Sequence, residues 1–268
     1  HAKTKLFHSL PITGTAIVNF DDDRGPAMAQ ESQAPVVAIA KRGPADIYYT
    51  ELSVDLNGIR GMVKAGDMLI NVSSSLLGEF NAENILCAVS IAISLGINPD
   101  IIQNGIKNCP TVSGRMESFQ LKNGASVIVD YAHTTDAYTK VLSTIHQMKI
   151  PEGKMNIVFG CGGDRDTTKR PEMGRIAEQF GDQLWITPDN PRSEEINEIS
   201  DQILMGLSDS SHRVFEDRSV GLNAALAALN KEDILVVLGK GRETYQEIKS
   251  EKIPYSDIKI IETFIHEN

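Results

Sequence analysis

The sequence predicts an α/β protein whose second half is a doubly wound parallel sheet. Two observations predict it. Apolar or β-branched runs at 127–129, 156–159, 184–187 and 234–238 alternate with stretches of helical period, the pattern of right-handed βαβ units. Each run also stops at polar, glycine-rich or charged residues: Asp130-Tyr131-Ala132-His133, Gly160-Cys161-Gly162-Gly163-Asp164-Arg165-Asp166, Asp189-Asn190-Pro191-Arg192 and Gly239-Lys240-Gly241-Arg242-Glu243. The carboxyl ends of parallel strands face one way, so loops leaving them converge on one crevice. The four motifs, with Gly114-Arg115-Met116-Glu117 just upstream, therefore read as one assembled site.

The elements follow in order. Residues 12–20 form a short strand-like run ending in Asp21-Asp22-Asp23. Between Pro35 and Ser75, alternating segments such as Val36-Val37-Ala38-Ile39 and Met68-Leu69-Ile70-Asn71-Val72, broken by Gly43-Pro44, Gly58 and Gly66, predict β-hairpins. The period then changes: Ile85, Leu86, Val89, Ala92 and Leu95 share a helical face over 82–95, entered through Gly78-Glu79-Phe80-Asn81 and ended by Gly96. A second helix over 99–108 leads to Cys109-Pro110, read as a linker between a domain at 1–110 and one at 111–268. In the second half Thr134 caps a helix reaching Met148, and Pro171 marks the first turn of one ending near Phe180. Ser193-Glu194-Glu195 opens a helix reaching Leu207, and a last helix spans 220–229. There is no internal repeat and no low-complexity tract.

Composition narrows the function. With 268 residues and 41% hydrophobic content the chain can bury one large core or two ordinary ones. Its net charge of −10 repels nucleic acid and anionic membrane surfaces, which argues against both as partners. The basic residues that do occur gather in the motifs (Arg115, His133, Arg165, Lys169, Arg170, Arg192, Lys240, Arg242), so a locally positive crevice suited to a small anionic ligand is expected. Three cysteines, an odd number without metal spacing, predict a reducing, cytoplasmic setting. No apolar run has the length of a membrane span, and the N-terminus lacks the apolar core of a signal peptide. The absence of Met at position 1 predicts a piece of something longer.

Each motif has a functional and a plainer reading. In Gly160–Asp166 the close glycines let backbone amides approach an anion, but the loop is neither G-x-G-x-x-G nor a Walker A loop and equally suits a plain βα turn. Arg165 stands between Asp164 and Asp166, which predicts a guanidinium held between carboxylates in fixed orientation; the plainer reading is a solvated surface arginine. Asp189-Asn190-Pro191-Arg192 packs an anion, an amide and a bidentate cation into four residues and could read a zwitterion, or it is a turn before a helix. Asp130-Tyr131-Ala132-His133 offers a carboxylate for a ribose hydroxyl or a metal, a ring to stack, and an imidazole near phosphates, against the structural role common for a lone histidine. In Gly239–Glu243, two cations and an acid at one strand exit predict an anionic or acidic partner nearby.

Together these motifs, with Ala2-Lys3-Thr4-Lys5-Leu6-Phe7 and Lys169-Arg170-Pro171, resemble the Mur ligase family across the whole chain and in the same order. The resemblance implies a C-terminal Rossmann-like amino-acid-binding domain at 111–268, preceded by the C-terminal part of a P-loop-type ATPase domain at 1–110. It implies ATP-dependent amide formation in peptidoglycan synthesis, with ATP and Mg²⁺ as cofactors, through an acyl phosphate that an incoming amine attacks. Asn81, Asn84, Arg115, Asp130, Tyr131 and His133 would lie at the nucleotide. Arg165, Asp189, Asn190, Arg192, Gly239 and Glu243 would hold the amino acid. The Asp-Asn-Pro-Arg form is the one the family associates with meso-diaminopimelate, added to a UDP-muramoyl dipeptide.

Lys3 and His133 would be catalytic, Lys3 as a carbamate that helps hold magnesium in the intact enzyme. Thr135 and Arg242 depart from the family's usual Pro and His. The family's P-loop and UDP-binding domain would precede Lys3, so the chain is expected to be inactive by itself. A folylpolyglutamate-synthetase-like ligase and a non-catalytic amino-acid-binding module are the alternatives.

Overall fold

A computed structural model of the chain describes residues 2–109, 114–208 and 211–268, with side chains from residue 4 onward. It divides into two compact units, His1–Pro110 and Thr111–Asn268.

The first unit contains α1 (Ala2–His8), β1 (Ala16–Asn19), α2 (Gly25–Gln30), β2 (Val36–Ala40), β3 (Ile47–Asp55), β4 (Gly58–Ala65), β5 (Met68–Ser74), α3 (Glu79–Ser94) and α4 (Pro99–Lys107). Its sheet runs in sequence order, β1-β2-β3-β4-β5. The expected hairpins form only among β3, β4 and β5, which are antiparallel. β2 instead pairs parallel with both β1 and β3, because its residues Val36–Ala40 are an unbroken apolar run suited to a sheet interior rather than an alternating one. At the β3–β4 turn, Gly58 holds a φ of 116°, a backbone conformation that glycine accepts readily. One face of this sheet buries Ile59, Val63, Ile70 and Val72 against Ala82, Leu86 and Val89 of α3. Tyr49 Oη donates to the Ala82 carbonyl at 3.0 Å, tying sheet to helix.

The second unit contains β6 (Glu117–Gln120), β7 (Ser126–Asp130), α5 (Thr135–Met148), β8 (Met155–Phe159), α6 (Lys169–Phe180), β9 (Gln183–Ile186), α7 (Ile196–Leu204), β10 (His212–Val214), α8 (Arg218–Ala227), β11 (Ile234–Leu238), β12 (Tyr245–Ile248), β13 (Glu251–Pro254) and α9 (Asp257–Glu267). Its main sheet has the order β10-β9-β8-β11-β7-β6. All pairs are parallel except that of the edge strand β6, which is antiparallel to β7. β7, β8 and β11 are buried at every position, which explains their continuous apolar runs.

The chain leaves β7, passes over one strand position to β8, continues outward to β10, and returns to insert β11 between β8 and β7. With right-handed crossovers this reversal puts α5, α6 and α7 on one face and α8 on the other. Accordingly α5, α6 and α7 pack side by side, and α8 packs with α9. The reversal also opens a crevice at the carboxyl ends of β7, β8, β9 and β11. Trp185, Leu222, Leu226, Val237 and Ile261 lie in the core behind it.

Two expectations need correction here. α7 begins at Ile196, not at Ser193, because the Ser193 hydroxyl donates to Asp164 Oδ1 at 2.6 Å and Glu194 pairs with Arg170. The helix at α8 is not the last: the hairpin β12–β13 and helix α9 follow it. No helix among the described residues is long and apolar enough to cross a membrane.

Candidate active site

A crevice of about 340 Å³ opens over the strand exits, lined by Tyr131, His133, Arg165, Lys169, Asp189, Asn190, Arg192, Gly239 and Glu243 among others. Four motifs separated widely in sequence therefore meet. What joins them is a set of ion pairs and close backbone approaches between the loops.

The loops after β8 and β9 are locked together. Gly163 N donates to the Asn190 carbonyl at 2.9 Å, and a Cβ on Gly163 would lie 1.9 Å from the Pro191 oxygen. Only glycine permits that approach. Arg170, fully buried, grips Glu194 bidentately and donates to the Gly162 carbonyl at 3.0 Å. Glu194 also accepts from Asp164 N, and Arg170 holds its carboxyl below the ordinary range.

Arg165 is not held between its sequence neighbours. Asp164 accepts from Ser193, and Asp166 accepts from the hydroxyl and amide of Thr168. Short aspartate side chains satisfy nearby hydroxyl and amide donors before a longer arginine can fold back. Arg165 is exposed and takes part in no ion pair among the described residues. Its guanidinium is therefore available at the crevice edge. Arg192 approaches Gly162 as Arg165 does: a Cβ there would sit 3.0 Å from Arg192 Nη1 and 3.8 Å from Arg165 Cγ. Arg192 donates through Nε to Glu247 at 3.1 Å and through Nη1 to the Gly163 carbonyl at 2.6 Å. Its Nη2 edge has no partner among the described residues. Its φ of 52° is a strained conformation for a non-glycine residue, held by these bonds.

The anionic side lies at the exits of β9 and β11. Gly239, at φ 104°, has no Cβ to collide with Asp189 Oδ2, which would be 2.7 Å away. Asp189 is buried, and burial holds its carboxyl above the ordinary range against the pull of Arg218 and Lys240. Glu243 is also pushed up by burial, yet hydrogen bonds from Lys240 and Asn190 outweigh this and leave it lowered. Behind them, fully buried Arg218 donates to both oxygens of Asp257, to Thr187 Oγ1 and to the Leu238 carbonyl. It thereby joins the exits of β9 and β11 to the start of α9.

The remaining sequence candidates are placed as follows. Tyr131 Oη reaches Glu243 Oε1 at 3.4 Å. His133 Nδ1 lies 2.9 Å from the Tyr131 carbonyl, so Nδ1 carries the proton and Nε2 is left for another partner. Lys169 Nζ donates to the His133 carbonyl at 3.0 Å. Asp130 does not line the crevice; its two oxygens accept from Met116 N and Ala132 N, shaping the loops on either side. Arg115 is exposed and also outside the lining. Asn81 and Asn84 belong to α3 of the first unit and bond to each other at 3.2 Å. The side chain of Lys3 lies outside the described residues, and α1 carries only its backbone.

Sequence reasoning missed Lys240, Arg170 and Arg218 as organising residues. All three are fully buried cations. Lys240 and Arg170 carried a signal, a cation next to glycine or proline at a strand exit or helix start; Arg218, between Asp217 and Ser219, carried none. Among the described residues no group of three or more His, Cys, Asp or Glu could hold a metal ion. Chemically, the crevice can receive a molecule that carries an ammonium and a carboxylate together.

Comparison with known proteins agrees with this geometry. Residues 1–92 match the description "Mur ligase middle domain", and residues 114–241 match "Mur ligase, glutamate ligase domain". The UDP-N-acetylmuramoyl-L-alanyl-D-glutamate--2,6-diaminopimelate ligase of a Nostoc species is 38% identical over 261 residues, covering 96% of this chain and 52% of that protein. The Aquifex aeolicus protein of the same name is 36% identical over 265 residues, covering 98% of this chain and 54% of its own length. A solved structure of a ligase with that name superposes with a TM-score of 0.78 at 30% identity, over 99% of this chain and 55% of that one. The chain thus spans about half the length of the curated relatives it matches. With one match in each structural unit, the chain belongs to the Mur ligase family and carries its middle domain followed by its glutamate ligase domain.

Proposed function

We propose that this chain is the nucleotide- and amino-acid-handling part of an ATP-dependent ligase that adds meso-diaminopimelate to UDP-N-acetylmuramoyl-L-alanyl-D-glutamate in peptidoglycan synthesis. One observation carries the reading. Anionic Asp189 and Glu243 and cationic Arg165 and Arg192 line one crevice of about 340 Å³. Diaminopimelate carries an ammonium and a carboxylate at the end remote from its reacting amine. Asp189 and Glu243 would take that ammonium; Arg165, the Nη2 edge of Arg192 and the Asn190 amide would take the carboxylate. Gly239 keeps the floor open. Lysine offers the crevice no distal carboxylate, so Arg165 and Arg192 would go unmatched.

ATP, when bound, supplies the phosphoryl group that activates the acceptor carboxylate. The residues present suit it: Tyr131 exposes its ring, His133 leaves Nε2 for another partner, and Lys169 brings a cation to the crevice beside the His133 carbonyl. On this reading Arg115, Tyr131 and His133 meet ribose and phosphates while Asp130 shapes the loop that presents them. Asn81 and Asn84 serve the adenine, and a carbamate on Lys3 helps hold magnesium, whose oxygen preference it would meet. The first unit is then the ATP-binding domain and the second the amino-acid-binding domain. Three cysteines, an odd number without metal spacing, support a reducing, cytoplasmic setting.

Titration calorimetry of the 268-residue chain against meso-diaminopimelate, L-lysine and L-glutamate tests the reading. Diaminopimelate should bind most tightly. Indistinguishable affinities for diaminopimelate and lysine, or tighter binding of glutamate, would overturn it, the latter in favour of a folylpolyglutamate-type ligase.

A further inference from the structure

We infer that Lys240 is a positioning residue of the amino-acid pocket: it turns the Asn190 amide so that its N–H faces the ligand and keeps the Glu243 carboxylate facing it as an acceptor. The inference deepens the proposed function, since it rests on this crevice being the amino-acid site.

The Lys240 side chain is fully buried, so no ligand in the crevice reaches it. Its ammonium lies 3.0 Å from Asn190 Oδ1, 2.9 Å from Glu243 Oε2 and 3.7 Å from Asp189 Oδ1. The rings of Tyr245 and Tyr255 are each 5.9 Å away. A desolvated ammonium survives only among acceptors and ring faces, and this one has three oxygens from two loops. The lysine thereby joins the exits of β9 and β11 electrically.

The consequence for Asn190 is geometric. An amide can often be turned over without visible cost. Here Oδ1 accepts from both Lys240 Nζ and the backbone N–H of Glu247, at 3.0 and 2.9 Å. Both partners can only donate. Nδ2 must therefore point the other way, where one hydrogen meets Glu243 Oε2 at 3.0 Å and the second remains for the crevice. Asn190 is presented to the ligand as a donor, which suits a carboxylate and not an ammonium.

The consequence for Glu243 is electrostatic. Its neighbours are Lys240 and Asn190 at Oε2, Tyr131 at Oε1, and Asp189 beyond the lysine. Burial favours its neutral form; the hydrogen bond and charge of Lys240, with hydrogen bonds from Asn190 and Tyr131, reverse that balance. Two acids and one buried cation leave one net negative charge, which matches one incoming ammonium.

The test is the titration of the Glu243 side-chain carbon by NMR in the 268-residue chain, its signal assigned by loss in Glu243→Gln. In the wild-type chain it should titrate below the ordinary value of about 4.3, and in Lys240→Met at least about one unit higher. Lys240→Arg should keep it low. Affinity for meso-diaminopimelate should be nearly flat from about pH 8 to pH 5.5 in the wild type and fall about twofold over that range in Lys240→Met. An unchanged Glu243 titration in Lys240→Met would overturn the inference. So would a wild-type value at or above the ordinary one, a measurement that needs no variant to fold. If the wild type binds no diaminopimelate while Glu243 still shifts, the ligand reading falls and the positioning of Glu243 by Lys240 stands.

Discussion

Replacing Arg218 with Met should destabilise the second unit strongly. In the wild type Asp257 is fully buried and receives two hydrogen bonds from Arg218, at 2.9 and 2.8 Å. Without the guanidinium it keeps only the Tyr255 hydroxyl, at 2.6 Å. Removing one partner of a buried pair costs about 3–5 kcal/mol. The assay is urea unfolding followed by fluorescence of Trp185, the single tryptophan, which lies in the second unit's core. Arg218→Met/Asp257→Asn should recover part of the loss by removing the orphaned charge. A gap below about 1 kcal/mol at pH 7 would refute the reasoning.

Further outcomes follow from the same loops. Arg192→Lys keeps the charge but loses the planar fork that reaches Glu247 and Gly163, so diaminopimelate binding by calorimetry should weaken by about 2 kcal/mol or more while lysine binding holds; equal losses would make Arg192 merely structural. Arg242 pairs bidentately with Glu117 and by hydrogen bonding lowers its carboxyl against burial. A lowered acid stabilises above its unfolded pKa and ceases to as pH falls through the folded one, so the melting-temperature gap between wild type and Arg242→Ala should close below about pH 4. A gap of constant size down to pH 2.5 would contradict the pairing. Gly163→Ala would put a Cβ 1.9 Å from the Pro191 oxygen, and should cost about 1–3 kcal/mol in the Trp185 unfolding assay. A neutral effect would mean the two loops are not locked there.

The strands that carry the site were legible for a physical reason: a parallel sheet covered on both faces makes continuous apolar runs, and β7, β8 and β11 are buried throughout. Their carboxyl ends were legible because the polar residues begin abruptly there. The missed helix α9 had a readable period in Ile258, Ile261 and Phe264, with Ser256 as its cap. The failures have a different cause. Arg165 was read with Asp164 and Asp166 because they adjoin it in sequence, yet Asp166 turns to Thr168 two positions on and Asp164 to Ser193 in another loop. Ser193 was read as a helix cap although its hydroxyl serves a loop 29 positions away. Arg242 and Glu117 are 125 positions apart, and Lys240 meets Asn190 across 50. A sequence can show that charges gather at strand exits, because their spacing along the chain is local. Which anion each cation meets depends on the strand order, and inserting β11 between β7 and β8 is what brings Lys240 to Asn190 and Arg242 to Glu117. In this chain the residues of the site were visible before the fold, but the pairing that gives each one its charge and orientation belongs to the topology.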